Sequence, residues 1–167
     1  MEKILIIGCP GSGKSTCSKI LSKLLNYPIL HLDRIFHIDN YHQITREELK
    51  NKILQFQNQN EKYIIDGNYT GTLELRLESA DTLIYLDIDS EICLNNVIER
   101  IKNNEPRDDI VPGFDNSIMD LEFIEYVKKF AINVKPRIEI IIKNSNVKVI
   151  RINNYKELED FYSSFKK

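Results

Sequence analysis

The stretch G8-C-P-G-S-G-K-S15 decides the reading of this sequence. It fits G-x-x-x-x-G-K-[S/T] at every specified position, and it follows the apolar run Ile4–Ile7 and precedes a helical stripe. That strand-to-helix context is what the chemistry requires. The glycines allow a tight loop with inward backbone N–H groups, the helix N-terminus adds partial positive charge, and Lys14 adds a compact cation for β and γ phosphates. Ser15 would offer its hydroxyl to Mg²⁺. Gly8, Gly11, Ser12, Gly13, Lys14, Ser15 and Thr16 are therefore the expected ATP-binding loop. The competing reading, a Gly-rich turn that matches by coincidence, leaves the flanking strand and helix unexplained.

Outward from the loop, short apolar runs alternate with stretches of helical period, the pattern of a parallel sheet covered by helices. The expected strands are 3–8, 27–32, 62–67, 82–88 and 147–152. Cys17, Ile20, Leu21, Leu24 and Leu25 form a buried stripe after Gly13. Thr45 with Glu48 makes a capping box for a second helix, and a third starts near Ser90. A long helix is expected from about Ser117 to Lys143, bent at Pro136, and Asn154 with Glu157 opens the last. The irregular piece 103–116, with Pro106, Pro112 and Gly113, is the main loop.

Bulk properties narrow the function. At 167 residues, 42% apolar and 29% charged, the chain is expected to form one domain spanning 1–167. No run approaches the ~20 apolar residues of a membrane span, and the start does not read as a signal peptide, so a cytoplasmic protein is expected. Three cysteines without metal-type spacing argue for reduced thiols. A net charge of −2 gives no general attraction for nucleic acid. Cys9, inside the loop, is expected to have a lowered pKa and to oxidise readily.

Further polar groups are expected at the strand ends, where open parallel sheets bind ligands. Asp66, in IIDGNY, is placed to join the magnesium shell, although Asp-Gly is also a common turn signal. HLDR ends the second strand with Asp33 and Arg34. Ser15, Asp33 and Asp66 should converge. His31 reads as a hydrogen-bonded core histidine, and the Lys128–Lys129 and Lys166–Lys167 pairs as solvated faces.

GCPGSGKST, HLDRIF, YIIDGNYTGTLELRLESADTLIYLD and the later KPR resemble the DNA topology modulation proteins, an adenylate-kinase-related family of small P-loop proteins. The likeness covers nearly the whole chain. It implies an α/β P-loop NTPase fold of nucleoside-monophosphate-kinase type: a five-stranded parallel sheet in order 2-3-1-4-5, helices on both faces, and a short lid at about 102–116. It also implies use of ATP and Mg²⁺. By the resemblance, Asp33 would orient or deprotonate an acceptor hydroxyl, with Arg34, Gly67, Asn68 and Tyr69 beside it. Arg76 substitutes for the arginine that grips an acceptor phosphate, unless it is an exposed helix arginine. Arg100 begins the lid and Arg107 closes over the transferring phosphate, while Arg137 either reaches the nucleotide or makes a helix-face salt bridge. Tyr69 and Phe36 would sandwich an acceptor base, or lie in the core. The lid has fewer basic residues than in related chains.

The reading is thus a P-loop kinase-like protein, transferring the ATP γ-phosphoryl group to a small-molecule acceptor, either a nucleoside monophosphate or a small hydroxyl metabolite. The alternatives are a nucleotide-dependent regulatory or DNA-associated factor without phosphotransfer, and a shikimate- or sugar-type kinase.

Overall fold

In the computed structural model, which describes residues 1–104 and 106–165, five strands form one parallel sheet in the order β2-β3-β1-β4-β5. They are β1 (Lys3–Gly8), β2 (Ile29–His31), β3 (Tyr63–Asp66), β4 (Thr82–Leu86) and β5 (Lys148–Ile152). Burial follows position in the sheet. In central β1, Ile4 to Ile7 have no exposed surface, because helices cover both faces of a parallel sheet. Edge strands β2 and β5 are only partly covered, and β5 exposes Lys148 and Arg151. Each fully buried Ile or Leu contributes roughly 1.5–3 kcal/mol by leaving water.

Register aligns the carboxyl ends of the central strands. Ile6 pairs with Asp66, His31 with Asp66, and Gly8 with Leu86, so the P-loop leaves the sheet beside the polar ends of β2 and β3. β4 and β5 lie on the other side of β1.

The helices are α1 (Lys14–Leu25), α2 (Leu32–Phe36), α3 (Arg46–Gln59), α4 (Leu73–Leu77), α5 (Ser90–Lys102), α6 (Leu121–Lys128), α7 (Lys135–Lys143) and α8 (Tyr155–Ser163). The capping box of α3 is present in both directions between Thr45 and Glu48, and Asn154 caps α8 by accepting from the Glu157 amide at 2.9 Å. Among the described residues no helix is long and apolar enough to cross a membrane.

The structure corrects three expectations about elements. The second strand ends at His31 rather than Leu32, because Leu32 already opens α2, which turns Asp33 back toward the P-loop. The long helix is two helices joined by a π-helical turn, Phe130–Val134. Pro136 is not its bend: it sits in the first turn of α7, where a missing N–H costs nothing. Residues 117–120 precede α6, which is capped by Asp120 accepting from the amides of Glu122 and Phe123.

Candidate active site

The P-loop runs from β1 into α1 through backbone that only glycine tolerates. Gly8 has φ +151° and Gly11 φ +85°; a Cβ at Gly8 would stand 2.4 Å from the Leu86 carbonyl, and one at Gly11 2.3 Å from that of Cys93. Helix α5 is therefore packed directly on the loop, and Asn96 Nδ2 and Tyr155 Oη both donate to the Gly11 carbonyl, at 2.9 and 3.3 Å. α1 has no side-chain cap at Gly13, so its first amides remain available to an anion. Lys14 Nζ donates to the Cys9 carbonyl at 3.0 Å, and burial holds its pKa below the usual lysine value despite the nearby Asp33.

Behind the loop, Asn68 Oδ1 accepts the Gly8 amide at 3.0 Å, so this predicted substrate residue braces the P-loop. Asp66, 4% exposed, accepts from Ser18 Oγ and pairs with His31 Nδ1 at 2.9 Å. Burial lowers the pKa of His31, but the hydrogen bond and charge of Asp66 outweigh it and raise the net value above 6.5. His31 is hydrogen-bonded as expected, with Asp66 as its partner, but it is only partly buried on edge strand β2 and is not a core residue.

Arg76 corrects the sequence reading. It is fully buried and lies outside the cleft, with Nη1 donating to the Gly67 carbonyl at 2.9 Å and Nη2 to that of Asn68. Burial pulls its pKa from 12.5 to about 9, still well above neutrality. The cause is local. Gly67 at φ +127° and Tyr69 at φ +33°, ψ 59° give the turn an unusual backbone, and its Gly67 and Asn68 carbonyls are buried, where an acceptor needs a donor. Arg76 is a structural clamp on the Gly67–Tyr69 turn.

The loop after α5 is folded across the mouth of the P-loop. Arg107 Nε and Nη2 grip the Asp109 carboxylate at 3.0 and 2.9 Å, and Nη2 also reaches Asp33 Oδ2 at 3.2 Å. Asp109, 6% exposed, accepts the Ser15 hydroxyl as well. Lys19 pairs with Asp108, and exposed Arg34 donates to the Asp108 carbonyl at 3.1 Å, so Arg34 anchors the loop instead of lining the cleft. Burial disfavours both charges of the Arg107–Asp109 pair, yet their mutual hydrogen bonds and attraction prevail: Arg107 lies above its ordinary pKa and Asp109 below. On its other oxygen, Asp33 accepts the Tyr69 hydroxyl at 2.8 Å.

One cleft of about 560 Å³ collects these groups, a size suited to a small ligand. Gly11, Gly13, Lys14, Ser15, Thr16, Asp33, Asp66, Gly67, Asn68, Tyr69, Arg100 and Arg107 line it, as expected from the sequence. Gly8 and Ser12 stand behind its surface; Ser12 is fully buried with no hydrogen-bond partner for Oγ among the described residues. Arg137 is exposed on α7 and is not among the described lining residues. Cys9 is also a correction. It is 1% exposed, and its interaction with Cys93 together with burial pushes the thiol pKa up, because the side chain points into the α6 side of the core rather than toward the loop amides. The sequence reading passed over Lys19, His37, Asn96, Phe123 and Tyr126, which line the cleft through tertiary packing.

The oxygen donors at Ser15, Asp66 and Asp109 are the kind Mg²⁺ takes, and the uncapped α1 amides with Lys14 fit a polyphosphate. A family profile described as "AAA domain" matches residues 4–120. The chain belongs to the AAA-domain family. This AAA-domain protein is 30% identical over 162 residues to a shikimate kinase of Clostridium botulinum (strain Loch Maree / Type A3), covering 87% of this chain and 89% of the relative. Among solved structures it resembles a shikimate kinase from Acinetobacter baumannii in complex with shikimate (TM-score 0.63, 14% identity, 99% of this chain and 91% of the other). It also resembles a deoxyadenosine kinase from M. mycoides with bound dATP (TM-score 0.61, 16% identity, 98% and 99%). The AAA-domain protein is thus P-loop and kinase-like in fold.

Proposed function

We propose that this protein transfers the γ-phosphoryl group of ATP to a hydroxyl of a small acceptor. The observation that carries this reading is the arrangement across one cleft: Lys14 and the α1 amides on one side, the Asp33 carboxylate on the other, and Arg107 touching Asp33 from the covering loop. Phosphoryl transfer asks for little covalent chemistry from a protein; positioning and charge stabilisation suffice. Kinase names among the relatives support the same reading.

Gly11, Gly13, Lys14, Ser15 and Thr16 would hold the ATP phosphates, with Gly8 and Ser12 shaping the loop from behind. Ser15 and Asp66 would hold Mg²⁺, which supplies shielding of phosphate charge. Asp33 stands where an acceptor hydroxyl can give up its proton, and Tyr69 fixes that carboxylate by its own hydrogen bond. Arg100 lies on α5 at the cleft and would face the nucleotide. The loop at about 102–116 would act as a lid, and Arg107 would exchange Asp109 for phosphoryl oxygens when nucleotide binds beneath it. The chain works as one unit in the cytoplasm, its three thiols free. A second reading, a nucleotide-operated switch without transfer, is favoured by the contact of Asp109 with Ser15, which links the lid to the nucleotide loop directly. A DNA-associated role, as the topology-modulation resemblance suggests, finds little support in a net charge of −2.

The test uses γ-labelled ATP, Mg²⁺ and a mixed pool of small hydroxyl metabolites. Label moving into an organic phosphate supports transfer. Label remaining in ATP, or released only as inorganic phosphate, refutes it in favour of the switch.

A further inference from the structure

The side of the cleft that faces the acceptor is poor in positive charge. Among its described lining residues the lysines and arginines are Lys14, Lys19, Arg100 and Arg107. Lys14 and Lys19 belong to α1, and Arg100 comes from α5, which follows β4 on the far side of β1 from β2 and β3. Arg107 forms an ion pair with the acceptor carboxylate Asp33, and it is shared between two acids, Asp109 and Asp33, while Lys14 is near enough to feel the Asp33 charge but donates to the Cys9 carbonyl. Arg76, which follows β3 and would be the natural grip for an anionic acceptor, is committed to backbone carbonyls. A carboxylate or phosphate monoester placed beside Asp33 would meet like charge and a guanidinium already matched, and burying it unbalanced is costly.

What this wall offers is rings and uncharged hydrogen-bonding groups. Among the described residues the rings that line it are His37, Tyr69, Phe123 and Tyr126. Phe36 stands behind them, edge to face with Tyr69 at 5.0 Å between centroids, and His37 packs edge-on against Phe36 and Phe114 at 5.5 Å. His37 lines the cleft, and its Nδ1 has no partner among the described residues. Burial lowers its pKa, so the imidazole is neutral near pH 7 and able to give or take one hydrogen bond. Tyr126, from α6, lines the same wall with its ring partly exposed, 39% of the residue's surface being accessible. Flat apolar rings are what such edges and faces accommodate.

We infer that the acceptor is an uncharged molecule carrying a hydroxyl on a body that includes a flat ring, the chemistry of a nucleoside, and neither a nucleotide monophosphate nor a hydroxy acid. This rests on the phosphotransfer reading above. The acceptor's hydroxyl oxygen forms its bond to the γ-phosphorus of ATP as the bond from that phosphorus to the β–γ bridging oxygen breaks. The hydroxyl proton passes to Asp33, and ADP leaves with the bonding pair.

The experiment measures ADP release by the full chain with Mg-ATP and matched acceptors: nucleosides, the same nucleosides as 5′-monophosphates, shikimate, and simple sugars. Products are identified by phosphorus NMR. The inference expects kcat/KM for the best nucleoside to exceed that for its monophosphate, shikimate and every sugar by about tenfold or more, with a new monoester on the sugar hydroxyl. Preference for a monophosphate or for shikimate overturns the inference and leaves phosphotransfer standing, and a sugar outperforming every nucleoside overturns it likewise. No acceptor raising ADP release above that of ATP alone overturns both. Tyr126→Ala should raise KM for the nucleoside about tenfold with kcat within twofold, and Tyr126→Phe should restore KM. An unchanged KM in Tyr126→Ala, or failure of the Phe variant to rescue, overturns the role assigned to this ring wall.

Discussion

The two walls of the cleft are built differently. The proposed phosphate wall comes from one contiguous stretch, residues 8–16, whose groups are backbone amides and a single lysine held by local geometry. The proposed acceptor wall is gathered from α2, the turn after β3, the covering loop and α6, and its Asp33, Arg107 and Asp109 charges are matched to one another in advance. A wall made of backbone binds whatever carries phosphate. A wall made of converging side chains selects, because each contact requires several elements to be in place together.

That contrast breaks first at Lys14. Lys14→Ala should leave the fold intact and cost ATP turnover about 10²- to 10³-fold, the scale of losing one preorganised charge donor, as measured by ADP release beside far-ultraviolet circular dichroism. A variant with parental turnover would mean that the phosphate wall is only a turn.

Asp33→Asn tests the other wall while preserving its shape. Acceptor-dependent kcat should fall about 10²-fold, with ATP affinity within twofold of the parent by calorimetry. Loss of ATP affinity with no loss of acceptor-dependent rate would move Asp33 to the phosphate wall and erase the distinction.

The covering loop joins the two walls, so its variants sharpen the boundary. Arg107→Ala should lower kcat about tenfold and barely alter ATP affinity, because the contact to phosphate forms in the transition state. Asp109→Asn removes the charge that occupies Ser15, and should tighten Mg-ATP binding roughly three- to tenfold. Unchanged affinity would show that this contact does not compete with nucleotide.

The smallest effect lies behind the phosphate wall, at His31. Its folded pKa is raised above 6.5 by Asp66 against the opposing effect of burial. The stability this pair contributes is complete below pH 6.5 and is lost as pH rises through the raised value. Thermal melting from pH 6 to 9 should show that loss in the parent and not in His31→Asn.

The same division explains what the sequence could reveal. The P-loop, the capping box at Thr45 and the cap at Asn154 are legible because each is a local hydrogen-bond pattern fixed by residues three to eight positions apart. The sheet order was legible only by resemblance, since strand neighbours are chosen by packing. The π-helical turn at Phe130–Val134 hid behind Pro136, a stronger but misleading breaker signal. Arg76 is hard to read from sequence for a physical reason: arginine is ordinarily a surface residue, and it is drawn inside by the carbonyls of a turn that has Gly67 at φ +127° and Tyr69 at φ +33°. His37 and Tyr126 carried no signal at all, because nothing near them in sequence distinguishes them from core aromatics.

The buried thiols have a practical consequence. Cys9 lies within the P-loop, Cys17 on α1 and Cys93 on the turn of α5 that presses against Gly11, and all three are shielded in the folded chain. An alkylating reagent can reach them only during transient opening, so the labelling rate of each thiol is a stopwatch for the breathing of its own segment. Polyphosphate held by the loop should slow the Cys9 and Cys93 clocks together. Such slowing would let the protein report occupancy of its proposed phosphate wall by mass spectrometry, with no dye, no engineered probe and no knowledge of the acceptor.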